Sequence, residues 1–354
     1  MAVAVKLEQA VNPVMRAVLC RHHGPPQSLE IGTAAMPHPV AGQVRIRVDA
    51  CGINFPDLLL VEGKYQDKPS LPFIPGGEVS GVIDEVGPDA GPLQAGEPVM
   101  AATMLGGLAQ YVVAAVKDVE VRPPGLTTEE AAAFPGVYGT ACHALVQRAQ
   151  LKPGETLLVL GAAGGTGLAA VQLGRALGAR VLAAAGSDDK LAFLTSHGAD
   201  EVINYRTTGL RDAVRKLTAG RGVDVVFDPV GGALFDEASR CIKWNGRLLV
   251  VGFASGTIPR FPVNLALLKG YAVVGVYYGR FRDEQPAEAA ANARVLRALV
   301  DAGRIKPVIH RVFPMEESAA ALTCLQDRSV MGKVVVGVGH AERGGATVAE
   351  RSTA

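Results

Sequence analysis

At 354 residues, 49% hydrophobic and 19% charged, the chain reads as a globular protein too long for one ordinary core, so two domains are expected. A formal net charge of +1 gives no bulk attraction to nucleic acid or to an anionic membrane, and no apolar run reaches the roughly 18 residues that span a bilayer. The five cysteines (20, 51, 142, 241 and 324) are scattered, odd in number and never in a C-x-x-C pair. That pattern indicates free thiols in a reducing, cytoplasmic compartment.

Residues 1–14 lack a proper apolar core for a signal peptide, because Lys6 and Glu8 interrupt it, and they read as a flexible extension. Residues 15–136 carry short strand-like runs cut by Pro and Gly: VRIRVDA, EVSGVIDEVG, EPVMAA and GLAQYVVAA. This is the signature of a small, mostly β unit.

From residue 137 the texture changes. A helix is expected over TACHALVQRAQ, then strands at 156–160, 180–185, 201–205, 223–228, 246–252 and 271–276 alternate with helices at 164–177, 188–197, 208–218 and 232–239. Apolar strands alternating with amphipathic helices predict a parallel, doubly wound α/β sheet over 137–276, a Rossmann nucleotide-binding domain. Beyond it, helices at 287–302 and 315–326 and the strand-like GKVVVGV return the chain to the first domain. Residues 277–340 are therefore assigned there, and 341–354 read as a flexible tail.

The run TLLVLGAAGGTGLAAVQLG places a glycine turn between a strand and a helix. Gly161, Gly164, Gly165, Thr166 and Gly167 form the candidate diphosphate cradle at a helix N-terminus. A glycine-rich turn without a ligand is the alternative; the six alternating strands favour a dinucleotide. An NAD site carries Asp or Glu at the end of the second strand, whereas Ala185 stands there in this chain. Ser187, Lys190, Tyr205 and Arg206 follow the second and third strands and are candidates to contact a 2′-phosphate, with one of the two cations expected to be merely solvated. NADPH is therefore the expected cofactor. Gly252 and Phe253 after the fifth strand, and Tyr277 or Tyr278 in the expected loop YYGRF after the sixth, belong at the same sheet edge and are candidates to flank the nicotinamide or roof the substrate pocket.

The stretch CGINFPDLLLVEGKY (51–65) gathers Cys51, Asn54, Asp57 and Tyr65. Cys51 has no metal-ligand partner at suitable spacing, and the seven histidines form no ligand pattern, so no metal site is expected. Asp57 is a candidate helix cap and Cys51 a small core residue.

In order along the chain, CGINFPDLLLVEGKY, LPFIPGGEVSGVIDEVG and GAAGGTG resemble the medium-chain dehydrogenase/reductase superfamily over about residues 15–338. In its zinc alcohol dehydrogenases, ligand residues occupy the places of Asn54, Gly77 and a position near Ala132. None is a ligand type here, and the cysteine-rich structural-zinc lobe is missing between 85 and 110. The chain is more similar to the zinc-free branch, the NADPH:quinone oxidoreductases of the zeta-crystallin type and the related 2-enoyl thioester reductases. The resemblance implies a GroES-like, mostly-β catalytic domain beside the Rossmann domain. It implies Asn54 as an amide orienting substrate or nicotinamide, Tyr65 as hydrogen-bond donor or proton source, and Lys333 in VMGKVVV as a residue that reaches the cofactor. Leu59 stands where quinone reductases often carry a further Tyr. A packed aromatic at the domain edge is the other reading of Tyr65. The resemblance further implies a homodimer paired through YAVVGV, and a small quinone or enone as substrate. A non-catalytic NADPH-binding protein with a structural or interaction role is the alternative of another class.

Overall fold

The computed structural model describes residues 13–327 and 329–339. The segments expected to be flexible lie outside that range apart from Pro13 and Val14, and Val14 opens the first strand.

Seven strands come first: β1 (Val14–Leu19), β2 (Glu30–Ala35), β3 (Gln43–Ile53), β4 (Glu78–Val86), β5 (Pro98–Ala102), β6 (Tyr111–Ala115) and β7 (Val119–Val121). β1 and β2 form a separate antiparallel pair. In β3, Val44, Ile46 and Val48 are fully buried while the residues between them are only half-buried, the period-two pattern of a strand with one face on a core. Past Ala50 every residue of β3 is buried, because the strand runs on between two neighbours.

Six parallel strands follow: β8 (Thr156–Val159), β9 (Arg180–Ala185), β10 (Glu201–Asn204), β11 (Val223–Asp228), β12 (Ile242–Val250) and β13 (Ala272–Gly275). They lie in the order β10-β9-β8-β11-β12-β13, the doubly wound arrangement in which ligands bind beyond the carboxyl ends of the strands. Alternate residues feed opposite faces. Leu157, Val159, Val181, Ala183, Val225 and Phe227 enter one core, and Leu158, Leu160, Leu182, Ala184 and Val226 enter the other. Each such apolar side chain contributes about 1.5–3 kcal/mol on burial when it is as large as Val, Leu or Phe. Helices at Gly165–Ala176, Asp188–Ser196, Leu210–Leu217 and Gly232–Ser239 connect the strands.

Helices Tyr278–Glu284, Pro286–Asp301 and Ser318–Gln326 accompany the last two strands, β14 (Ile309–Pro314) and β15 (Lys333–Gly337). β15 pairs antiparallel with β3, setting Val334 opposite Ile53, so the chain end closes the first domain's sheet in the order β14-β15-β3-β4-β5-β7. The fold is α/β, a GroES-like domain beside a Rossmann domain. Among the described residues no helix is long and apolar enough to cross a membrane.

Three expectations are corrected. The expected loop YYGRF is helical from Tyr278, with Phe281 buried and stacked on His143 at 3.9 Å between ring centres. The helix expected over 140–150 begins at Pro135 and ends in a wider π-type turn over His143–Arg148, where Ala149 donates to the carbonyl of Ala144. The fifth strand of the Rossmann sheet starts at Ile242, four residues before the expected Gly246.

Candidate active site

β8 delivers the chain into the glycine turn. Gly161 has φ +56°, in the left-handed region that favours glycine. A Cβ on Gly167 would lie 2.3 Å from the Gly161 carbonyl oxygen, so the turn is closed on its inner side. At Gly164 the nearest atom to such a Cβ is 3.5 Å away, so its outer side is open. Gly164 caps the helix that starts at Gly165, and Thr166 is half-buried in the first turn. Free N–H groups of a helix N-terminus face this opening, which fits an anionic diphosphate.

At the end of the second strand Ala185 is buried and offers no carboxylate. The next residue, Gly186, lies under two side chains: a Cβ there would meet the Tyr205 hydroxyl at 2.9 Å and Arg206 Nε at 3.1 Å. Ser187 is half-buried beside them. Burial pushes the Lys190 amine below its ordinary value, and the Arg206 charge pushes it the same way. Burial, and then Lys190 and Arg311, similarly lower the imidazole of His310. Cations crowded together in this way fit a phosphate. His310 was not singled out in the sequence, because it lies far along the chain from Lys190 and only the fold brings the two together.

Between the glycine turn and the first domain lies a polar trio of which Glu78 and Lys333 are buried. Asn54 ends the β3 segment, and its Nδ2 donates to Glu78 Oε1 at 2.8 Å. Lys333 Nζ donates to Asn54 Oδ1 at 2.6 Å and to the Ile53 carbonyl at 3.0 Å, and lies 3.7 Å from Glu78 Oε2. Glu78 and Lys333 are each 4% exposed, whereas Asn54 is half-exposed. Burial pushes the Glu78 carboxyl up, opposed by Lys333 and by the Asn54 amide. The aliphatic stem of Lys333 passes the glycine turn, where a Cβ on Gly165 would lie 2.6 Å from Lys333 Cδ. Glu78 also escaped the sequence reading. The available signal was a carboxylate opening the otherwise apolar strand EVSGVI, since a buried charge needs a partner.

Asp57 is buried and accepts the backbone N–H of Asn54 at 2.7 Å, the expected capping role. Burial pushes its carboxyl up to about 7, against the lowering effect of that hydrogen bond. Cys51 is fully buried in the first domain's core, and burial, then Asp57 and Glu78, raise its thiol well above the ordinary value. Tyr65 is half-buried on the same core. Burial, followed by Tyr277, Asp67 and Asp57, raises its phenol, so it stays protonated at neutral pH. Tyr277, half-exposed, follows the last Rossmann strand, and its hydroxyl donates to Asp67 Oδ2 at 3.4 Å. Tyr278 packs instead against Gly139, where a Cβ would lie 2.2 Å from its hydroxyl. Gly252 donates to the Asp228 carbonyl at 3.3 Å, and Phe253 packs on Gly231 beyond the end of β12.

Among the described residues no group of three or more His, Cys, Asp or Glu is placed to hold a metal ion. At Asn54 and Glu78 the cationic position is taken by the Lys333 ammonium, so this donor set does not fit a bound metal.

The chain matches the family model of the alcohol dehydrogenase GroES-like domain over residues 40–150 and that of zinc-binding dehydrogenases over 165–293. It is 41% identical to quinone oxidoreductase-like protein 2 of Bos taurus, over 91% of this chain and 92% of that one. The crystal structure of Escherichia coli quinone oxidoreductase complexed with NADPH superposes with a TM-score of 0.85 at 27% identity, covering 91% of this chain and 99% of that one. The CurK enoyl reductase structure superposes at 0.83 with 28% identity, covering 92% and 99%.

Proposed function

This chain belongs to the quinone oxidoreductase family of medium-chain dehydrogenase/reductases, and from that premise we propose that it is an NADPH-dependent reductase of quinones or of the activated C=C of α,β-unsaturated carbonyls, acting without a metal. The observation that carries this reading is Asn54 held by a buried Lys333–Glu78 pair, with the Lys333 stem running from Asn54 to the open glycine turn.

Gly161, Gly164, Gly165, Thr166 and Gly167 would hold the diphosphate, and Ser187, Lys190, Tyr205 and Arg206 the 2′-phosphate, with His310 close by. The reduced nicotinamide, when bound, supplies the hydride. The chain's own part is position and polarity. Gly252, Phe253 and Tyr277, at the carboxyl edge of the sheet, would flank the nicotinamide or roof the substrate pocket. As negative charge builds on the acceptor's carbonyl oxygen, the protonated Tyr65 hydroxyl and the Asn54 amide donate to it, in the role a Lewis acid would otherwise fill. Because its phenol is raised, Tyr65 is a better hydrogen-bond donor than acid, and water is the proton source this favours.

A second reading, a 2-enoyl thioester reductase, is favoured by Tyr65 together with Leu59 and by the likeness to an enoyl reductase structure. A homodimer in a reducing, cytoplasmic compartment is proposed as the working form. Strand β13 is an open sheet edge with Val273 39% exposed, Leu267 and Leu268 are exposed on the helix Asn264–Lys269 just before it, and all five cysteines are free. The test is oxidation of NADPH and of NADH against a panel of quinones, enones and enoyl thioesters, with kcat/KM for each pair. Cofactor binding with no turnover of any acceptor would leave a binding protein and sink the enzymatic reading.

A further inference from the structure

We infer that Glu78 is a positioning residue that, with Lys333, fixes which way the Asn54 amide faces; this rests on the proposed reading of Asn54 as the donor in the cleft. An asparagine amide has two nearly isosteric ends, and turning it by half a turn exchanges a donor for an acceptor. Here the two ends meet groups of opposite demand. Nδ2 faces the Glu78 carboxylate at 2.8 Å, which can only accept, and Oδ1 faces the Lys333 ammonium at 2.6 Å, which can only donate. The reverse orientation would set oxygen against oxygen and N–H against N–H. One orientation survives, and it leaves one Asn54 N–H for a group in the cleft.

Two further observations separate this arrangement from a device for stability. Glu78 Oε2 is buried with no hydrogen-bond partner, and the nearest cation, Lys333 Nζ, is 3.7 Å away. A half-satisfied buried ion pair is a poor source of stability compared with apolar packing. Moreover, two glycines make room for it. A Cβ on Gly136 would lie 1.9 Å from Glu78 Oε1, and one on Gly165 would lie 2.6 Å from Lys333 Cδ. Of the trio, only Asn54 is reached by solvent, so the two charges act through it.

The experiment is a double-mutant cycle of Asn54→Ala and Glu78→Gln, reading kcat and KM for the acceptor, NADPH affinity by fluorescence, and Tm. Acting through Asn54, Glu78→Gln lowers kcat/KM for the acceptor at least 10-fold in the native background and less than 2-fold once Asn54 is Ala, with NADPH affinity held within about 3-fold. Equal losses in both backgrounds, or no loss in the first, overturn the inference. If Glu78→Gln alone does not fold because it leaves Lys333 unpaired, the double variant Glu78→Gln/Lys333→Met removes both charges; it is expected to keep Tm and lose turnover, and retained turnover overturns the inference. Absence of turnover by the unaltered protein would fail the enzymatic reading instead. The amide is then read directly, by neutron crystal structures of the unaltered protein and of Glu78→Gln, which distinguish its oxygen from its nitrogen, and an unchanged Asn54 orientation in the variant overturns the positioning role.

Discussion

Gly332 donates its backbone N–H to the carbonyl of Ala163 at 2.8 Å, joining the residue before β15 to the middle of the glycine turn. The strand β15 of the first domain's sheet is therefore pinned to the glycine turn after β8, and Lys333 follows directly. Gly332 has φ +92°, and a Cβ there would lie 2.2 Å from the Val308 carbonyl oxygen. Gly332→Ala is expected to strain this contact by about 1–3 kcal/mol. Differential scanning fluorimetry with and without NADPH should show a lower Tm and a smaller NADPH-induced rise. An unchanged NADPH-induced rise would mean the pin does not shape the loop.

Cofactor choice should rest on the corner around Gly186. A charge-assisted hydrogen bond contributes about 1.5–3 kcal/mol, or roughly 10- to 100-fold in affinity. Of Lys190→Ala and Arg206→Ala, at least one should raise KM for NADPH by about that factor and leave KM for NADH nearly unchanged, the other being the solvated cation. Ala185→Asp should add repulsion to the 2′-phosphate and move the preference toward NADH. Parallel losses with both cofactors would remove these residues from the 2′-phosphate site.

The Rossmann sheet was legible because its signals are local: apolar runs of strand length, helical spacing between them, and a glycine turn in the right place. Ala185 was informative for the same reason, since a single position at a strand end carries the argument. Glu78 and His310 were not legible. Their meaning comes from groups far along the chain: Lys333 on β15 for Glu78, and Lys190, in the helix after β9, for His310. The same limit explains Lys333. The resemblance placed it near the cofactor, and the fold adds that its ammonium is spent on Ile53 and Asn54 while its stem borders Gly165. Tyr278 was misread as loop because YYGRF follows the sixth strand, where a connection was expected, yet the burial of Phe281 against His143 favours a helix there.

Removing the Tyr65 hydroxyl should separate donation from packing. Tyr65→Phe keeps the ring on the first domain's core and deletes only the donor. Loss of one donor to a developing oxyanion costs about 2.7–4 kcal/mol, roughly 10²- to 10³-fold in kcat. Stopped-flow oxidation of NADPH should show that loss with Tm little changed. Full kcat in Tyr65→Phe would leave Tyr65 as a packed aromatic.

Asp57 should give the stability of the protein a distinct pH dependence. In the folded chain its carboxyl holds a proton up to about pH 7, whereas the ordinary value is 3.8. Between these limits the folded state binds more protons than the unfolded state, so stability falls as pH rises. The contribution is fully present below the ordinary value and is lost once pH passes the folded one. Asp57→Asn keeps an oxygen that can accept the Asn54 N–H and stays neutral throughout. Relative to the native chain, this variant should therefore gain in Tm between pH 4.5 and pH 8, with the difference levelling off above about pH 7. Glu78, whose charge helps to raise the Asp57 carboxyl, is present in both proteins, so the difference in slope reports Asp57 together with its coupling to Glu78. Identical slopes of Tm against pH for the two chains would show that the Asp57 carboxyl does not titrate in this window.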